Sequence, residues 1–253
     1  MSPALRGAGR LVGMLAVAVI ALQLFFLLRI ALMLVVAPES TTFQRSEIWR
    51  IVVEKHQLPW SQESVAGGRI SDNLRRAVIA SEDAGFVEHH GVEWDAVEKA
   101  WSKNEKAQAR VEAQQGRVLK GADGRPRVVT PKVVGGSTIS QQLAKNLFLS
   151  GERNILRKGQ ELVITMMLEA LLGKERILTT YLNNVEWGEG VFGAQAAAEH
   201  YFRTNAATLG PAQAARLAVM LPAPKRFEKS PSSPYVLGRS ATIVARMGGV
   251  DLP

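Results

Sequence analysis

The sequence predicts a mainly α fold behind a single N-terminal transmembrane helix, and three observations carry that prediction. Leu11 to Leu28 is broken by one polar residue, Gln23, and after Arg29 the apolar run resumes from Ile30 to Ala37. From Arg69 to Met247 apolar residues recur at helical spacing, with no run of alternating strands and no internal repeat. A chain of 253 residues, 47% of them hydrophobic, is also long enough to bury a core outside the apolar segment.

Residues 1–10 read as a cytoplasmic N-terminus and residues 11–37 as the anchor. Eighteen helical residues, Leu11 to Leu28, span ~27 Å, close to the hydrocarbon thickness of a bilayer. A secretory signal would carry a shorter apolar run, and Ala37-Pro38 is a poor cleavage site, so the segment is expected to be retained. Arg6 and Arg10 precede it with no acid nearby, which by the positive-inside rule leaves the N-terminus inside and the rest of the chain outside. Arg29 then snorkels toward the outer interface or bends the helix there.

Residues 38–68 read as a juxtamembrane connector, whose Trp49 and Trp60 suit either the interface or the domain interior. Residues 69–253 form the main domain. It opens with an amphipathic helix over residues 71–83, capped by Ser71 or Asp72, with Leu74, Ala77, Val78 and Ser81 on one face. Residues 102–134 form a basic insertion with eight Lys and Arg against three acids, and Asp123-Gly124 within it signals a small hairpin. A second helix follows the glycines of GGSTISQQLAKNLFL, where Thr138 and Gln141 have capping-box spacing and free amides would suit an anion. Residues 154–188 read as two helices broken near Gly173, with Val163, Met166, Met167, Ala170 and Leu171 toward the core. A last helix near residue 210 is stopped by Pro222 and Pro224.

The net charge of +8 is confined to residues 1–37, with three bases and no acid, and to the insertion, at +5. A basic patch suits nucleic acid, anionic lipid or a phosphorylated ligand, and the anchor favours the last two. The absence of cysteine fits a domain outside the cytoplasm without disulfides, and equally many cytosolic ones.

Several residues depart from what folding alone would ask. Glu82 and Asp83 lie together at a helix C-terminus, where the macrodipole disfavours negative charge, and such local conflict marks functional sites. Glu161 has an ordinary reading as an i,i+4 partner of Arg157 on a helix surface. Lys145, Arg157 and Lys158 lie close to the glycine-rich helix start, however, and would cradle a pyrophosphate. His89 and His90 lack a second ligand at metal spacing and read as structural. No Walker motif, dinucleotide fingerprint or nucleophile elbow is present.

The segments EDAGFVEHHG, GGSTISQQLAKNLFL, RKGQE, KERILTTYLNNVEWGEGVFG and RLAVMLPAPKRF, in that order, resemble the five motifs of the peptidoglycan glycosyltransferases, or biosynthetic transglycosylases (glycosyltransferase family 51). The resemblance covers about residues 69–230, and the chain then ends without room for a transpeptidase domain, as in the monofunctional members. It implies a lysozyme-like helical head with a small membrane-associated jaw. It also implies inverting polymerisation of lipid II into glycan strands at the inner membrane, with release of undecaprenyl pyrophosphate. By resemblance Glu82 is the general base and Glu161 the second functional glutamate near the donor. Asp83 shapes the field of Glu82 or helps hold a divalent cation, Mg or Mn, for which no ligand set can be read. Lys145, Arg157 and Lys158 lie around the pyrophosphate, and Ser137, Thr138, Gln141 and Gln142 line the cleft. The implied partners are lipid II, the growing strand, membrane lipids and other cell-wall synthases or division proteins, with no nucleic acid and no organic cofactor. Set against this are a lytic glycan-cleaving enzyme, which needs no pyrophosphate cradle, and an inactive anchored scaffold.

Overall fold

The computed structural model describes residues 3–115, 136–152 and 154–253, so the expected hairpin and most of the basic insertion lie outside the described residues. The chain divides into two units, Met1–Gly91 with Ile139–Pro253, and Val92–Thr138.

In the first unit α1 (Pro3–Leu32) contains an apolar window, Gly7–Leu32, long and apolar enough to cross a membrane. Most of α1 is exposed, but Phe26 and Ile30, with Met33 just beyond the helix, are buried in the main core. Three contacts fix this end of the helix. Gln23 and Gln160 exchange amide hydrogen bonds at 2.9 and 3.0 Å, Phe26 meets Phe148 edge-on at 5.4 Å, and the Arg176 guanidinium donates twice to the Met33 carbonyl, at 2.9 and 2.6 Å. Arg176 thereby places a cation and two donors at the negative end of α1, where carbonyls lack helical partners.

The expected connector folds onto the head. In α2 (Thr42–Lys55), Thr41 and Gln44 form a capping box, and Arg50 pairs with Glu47, Glu54 and Glu189. Trp60 stacks on Phe192 at 4.5 Å and so belongs to the domain, whereas Trp49 is 73% exposed. Next to it β1 (Ser61–Gln62) pairs in parallel with β3 (Val191–Phe192), which pairs antiparallel with β2 (Glu186–Gly188). The sequence gives no hint of this sheet, because strands of two or three residues are too short to show a period.

The Ser71 hydroxyl caps α3 (Asp72–Glu82), accepting from the Leu74 amide at 3.2 Å. Leu74, Ala77 and Val78 are buried as their spacing predicts, and they face α9 (Pro211–Met220) and α11 (Pro234–Met247). Between those two lies α10 (Pro224–Phe227), where Pro224 opens a short helix, its fixed φ suiting the first helical position. A second group comprises α5 (Ile139–Phe148), α6 (Ile155–Leu171) and α7 (Lys174–Asn184), with α1 packed on α6, α2 on α5, and α8 (Ala194–Phe202) beside the sheet. The break falls at Gly173, the N-cap of α7.

One expected face is corrected. The buried side of α6 is Glu161, Ile164, Thr165 and Leu168; of the expected residues Met167 and Leu171 do pack on the core, partly buried, while Val163 and Met166 are 42% and 53% exposed and Ala170 is exposed too. The period does single out an apolar face, but most of that face, with Leu162, Val163 and Met166, is exposed, and the side that carries Glu161 and Thr165 is turned inward. Glu161 and Thr165 tolerate burial because each is hydrogen-bonded, Thr165 to the Glu161 carbonyl at 2.7 Å.

The second unit contains α4 (Trp94–Gln115), with Asp95 in its favourable first turn. Trp94, Val97 and Trp101 share one face at helical spacing and are all exposed.

The Gln23–Gln160 pair predicts a double-mutant result. Gln23→Leu and Gln160→Leu should each destabilise the protein in detergent, and the double variant should recover about 0.6–1.7 kcal/mol of coupling, read from thermal unfolding.

Candidate active site

Helix α3 delivers Glu82 and Asp83 to the start of α5, and this resolves the paired-carboxylate anomaly. The Asp83 side chain is wholly buried. Its Oδ2 accepts the amide of Ile139, the first residue of α5, at 2.9 Å, and its Oδ1 meets His89 Nε2 at 2.8 Å. Gly91 N–H donates to His89 Nδ1 at 3.1 Å, which leaves the ring proton on Nε2 to bond Asp83. At the helix start where an outside anion was expected, the Ile139 amide thus takes an anion of the chain's own.

Glu82 is half-buried and keeps an open side. Its Oε2 accepts from Gln142 Nε2 at 3.0 Å, and Gln142 Oε1 accepts from the Tyr181 hydroxyl at 2.9 Å. Because Tyr181 donates to the carbonyl end of the amide, the NH₂ end must face the carboxylate. Burial raises the Glu82 pKa above its ordinary 4.5, the Gln142 hydrogen bond lowers it, and the negative charge of Asp83 raises it again. Tyr181 is fully buried, and burial together with the charges of Glu82 and Asp83 holds its hydroxyl protonated.

On α6, Glu161 is 4% exposed at its side chain, so the surface-pair reading does not describe it. Arg157 Nη1 donates to its Oε2 at 2.8 Å, and Lys158 Nζ donates to Oε1. Arg157 Nε is buried without a hydrogen-bond partner, a donor left over on the guanidinium edge. Asn154 caps the helix through the Arg157 amide at 2.7 Å.

The loop after Asp83 is pressed against α6. Gly91 has φ +90°, and a Cβ there would come within 2.7 Å of Thr165 Cγ2 and 3.1 Å of Glu169 Cγ, so only glycine fits without displacement. Glu169 in turn binds Ser140 of α5 and, at 2.8 Å, Lys174, whose ammonium lies 4.6 Å from the Phe86 ring centre.

The expected residues therefore gather into two groups. Glu82, Asp83 and Gln142 meet between α3 and α5, while Glu161, Arg157 and Lys158 meet on α6, which packs against α5. Gln141 is buried and Lys145 exposed on α5, and Ser137 and Thr138 fall in the second unit. Sequence reasoning passed over Tyr181, although a tyrosine on the apolar face of α7 signals a hydroxyl in need of a partner. It also left the structural duty of His89 without a partner, because Asp83 is six residues away. Among the described residues no group of three or more His, Cys, Asp or Glu is placed to hold a metal ion.

The sequence profile of the family described as Transglycosylase matches residues 52–116 and 126–248. Similar proteins that carry the name biosynthetic peptidoglycan transglycosylase include the following. The protein of Paraburkholderia xenovorans is 48% identical over 94% of this chain and 90% of its own length. That of Cupriavidus pinatubonensis is 49% identical over 98% and 92%, and that of Cupriavidus metallidurans 50% identical over 98% and 100%.

The Glu82 environment fixes a titration order. A raised folded-state pKa means that its contribution to stability is present below the unfolded value near 4.5 and is lost as pH rises through the folded value. Gln142→Leu removes the bond that opposes the shift, so carboxyl ¹³C titration should find Glu82 higher in that variant than in the parent; an unchanged or lower value contradicts the assignment.

Proposed function

The chain belongs to the transglycosylase family, and on that premise we propose that it is a peptidoglycan glycosyltransferase that polymerises lipid II into glycan strands with inversion. The carrying observation is Glu82, a carboxylate made more basic by burial, aimed by a donor relay from Tyr181 and Gln142, and open on one side. As the acceptor 4-hydroxyl oxygen bonds to the donor anomeric carbon, its proton passes to Glu82. The bond from that carbon to the pyrophosphate oxygen breaks on the opposite face, and undecaprenyl pyrophosphate leaves with the electron pair.

Charge develops on the leaving group, and cations held in place beforehand stabilise it most cheaply. Arg157 and Lys158 serve here, with Lys145 on the neighbouring helix. The unpartnered Arg157 Nε supports this role, since a phosphate oxygen satisfies a buried donor that the chain leaves unmet. Glu161 holds both cations and keeps the empty cradle from concentrating positive charge. Ser137, Thr138 and Gln141 are substrate-binding residues in this reading, by their place in the family's second motif.

Among the described residues none form a cage for the expected divalent cation. Asp83, the carboxylate beside Glu82, is buried with both oxygens engaged, so no step here is routed through a metal. The exposed apolar length of α1 supports a single membrane span with the catalytic domain outside the cytoplasm, in keeping with Arg6 and Arg10. The exposed Trp94, Val97 and Trp101 face, with Lys99, Lys103 and Lys106 on the opposite, polar side of α4, supports contact with membrane lipid. Other synthases or division proteins are the partners such an anchored enzyme would work beside.

Incubation of the full chain with fluorescent lipid II should give a ladder of glycans on a gel. Glu82→Gln should lower the rate by roughly 10²–10⁴-fold, the usual worth of a general base. A ladder from Glu82→Gln at the parent rate refutes the assignment, and lipid binding without a ladder from either protein points to a scaffold. In the same assay Arg157→Leu should slow turnover more than Lys158→Leu, because Lys158 is half exposed and its charge is screened by water.

A further inference from the structure

A cavity of about 240 Å³ lies at the outer end of α1, and none of the site residues assigned above lines it. Its walls come from Leu32, Met33 and Val36 at the end of the anchor and from Leu147 and Phe148 at the end of α5. Two charged side chains join this apolar lining, Arg29 and Glu39. Both are exposed, and neither forms an ion pair with the other or with any described residue.

Arg29 is the only charged residue between Leu11 and Pro38. A cation at that depth is costly unless it reaches the interface or meets an anion, and the commonest anion there is a lipid phosphate. Glu39 argues against a purely anionic headgroup, which would bring a second negative charge beside it. A zwitterion satisfies both. A phosphocholine cation has no N–H to donate, whereas a primary ammonium gives Glu39 a charge-assisted hydrogen bond. At ~30 Å³ per water the cavity holds about eight waters, the scale of a headgroup rather than of a lipid, and its apolar walls continue toward the hydrocarbon.

From this complementarity we propose that the cavity binds the headgroup of a phosphoethanolamine lipid, its phosphate on Arg29 and its ammonium on Glu39. The site rests on the reading of α1 as a membrane span and adds to it a lipid-specific seat where anchor and head join. Arg176, bonded to the Met33 carbonyl on the cavity wall, keeps that junction rigid enough to hold a shape.

The full chain, reconstituted in vesicles with equal parts of phosphatidylethanolamine, phosphatidylcholine and phosphatidylglycerol and released into mild detergent, tests this by native mass spectrometry. The parent should retain one phosphatidylethanolamine in preference to the other two. Arg29→Gln should retain roughly tenfold less of it, the worth of one hydrogen bond to a charged group. Glu39→Gln should lose the preference over phosphatidylglycerol. Both variants should melt as the parent does in lipid-free detergent, which separates lost binding from lost folding. Equal retention of the three lipids by the parent, or unchanged retention by Arg29→Gln, overturns the headgroup site while leaving the span intact. Failure to enter vesicles, with the protein washed off at high pH, overturns the span and the site together.

Discussion

A single buried carboxylate, Asp83, sets the arrangement around which the rest of the site is built. Its charge has no access to water, so the chain must supply compensation on every side. The Ile139 amide at the positive end of α5 supplies one part and the His89 ring the other. Satisfying Asp83 therefore brings the C-terminus of α3 to the N-terminus of α5. Glu82 is the neighbour of Asp83 in sequence, and Gln142 is one turn beyond Ile139 on the same face of α5. Their contact follows from the meeting of the two helices. The loop that carries His89 closes against α6 through Gly91, so the same carboxylate also ties the third helix of the site into place.

Much of this was legible in the sequence because it is local. The Ser71 cap, the buried face of α3 and the break at Gly173 each follow from a few neighbouring residues. The five ordered motifs named the family, and the relatives bear that out over nearly the whole chain. The paired acids were recognised as anomalous, but their explanation was not local. Asp83 meets Ile139 across 56 residues of chain, and no spacing rule reaches that far. Tyr181 escaped for the same reason, its partner Gln142 lying 39 residues away.

The error at α6 has a different origin. Periodicity assigns the apolar face of a helix to the core, and in this helix most of the apolar face is exposed. Leu162, Val163 and Met166 remain exposed, while Ile155 and Leu156 at its start are 91% and 87% exposed. Its buried side instead holds an ion-paired glutamate and a threonine. Helix α1 packs on α6 at another point of its circumference, joined to it by the Gln23–Gln160 pair. Helix α1 is thus a packed element of the first unit whose last turns belong to the same core, and not a tether attached to a finished domain.

The relay from Tyr181 through Gln142 to Glu82 runs in one direction. Tyr181 keeps its proton and donates it into a hydrogen bond, and an amide has no basic nitrogen with which to pass a proton inward. The inner wall behind Glu82 therefore orients the carboxylate and insulates it. In the proposed reaction a proton that arrives on Glu82 finds no path inward through Gln142, so recharging the carboxylate for each new sugar depends on water reaching its open side.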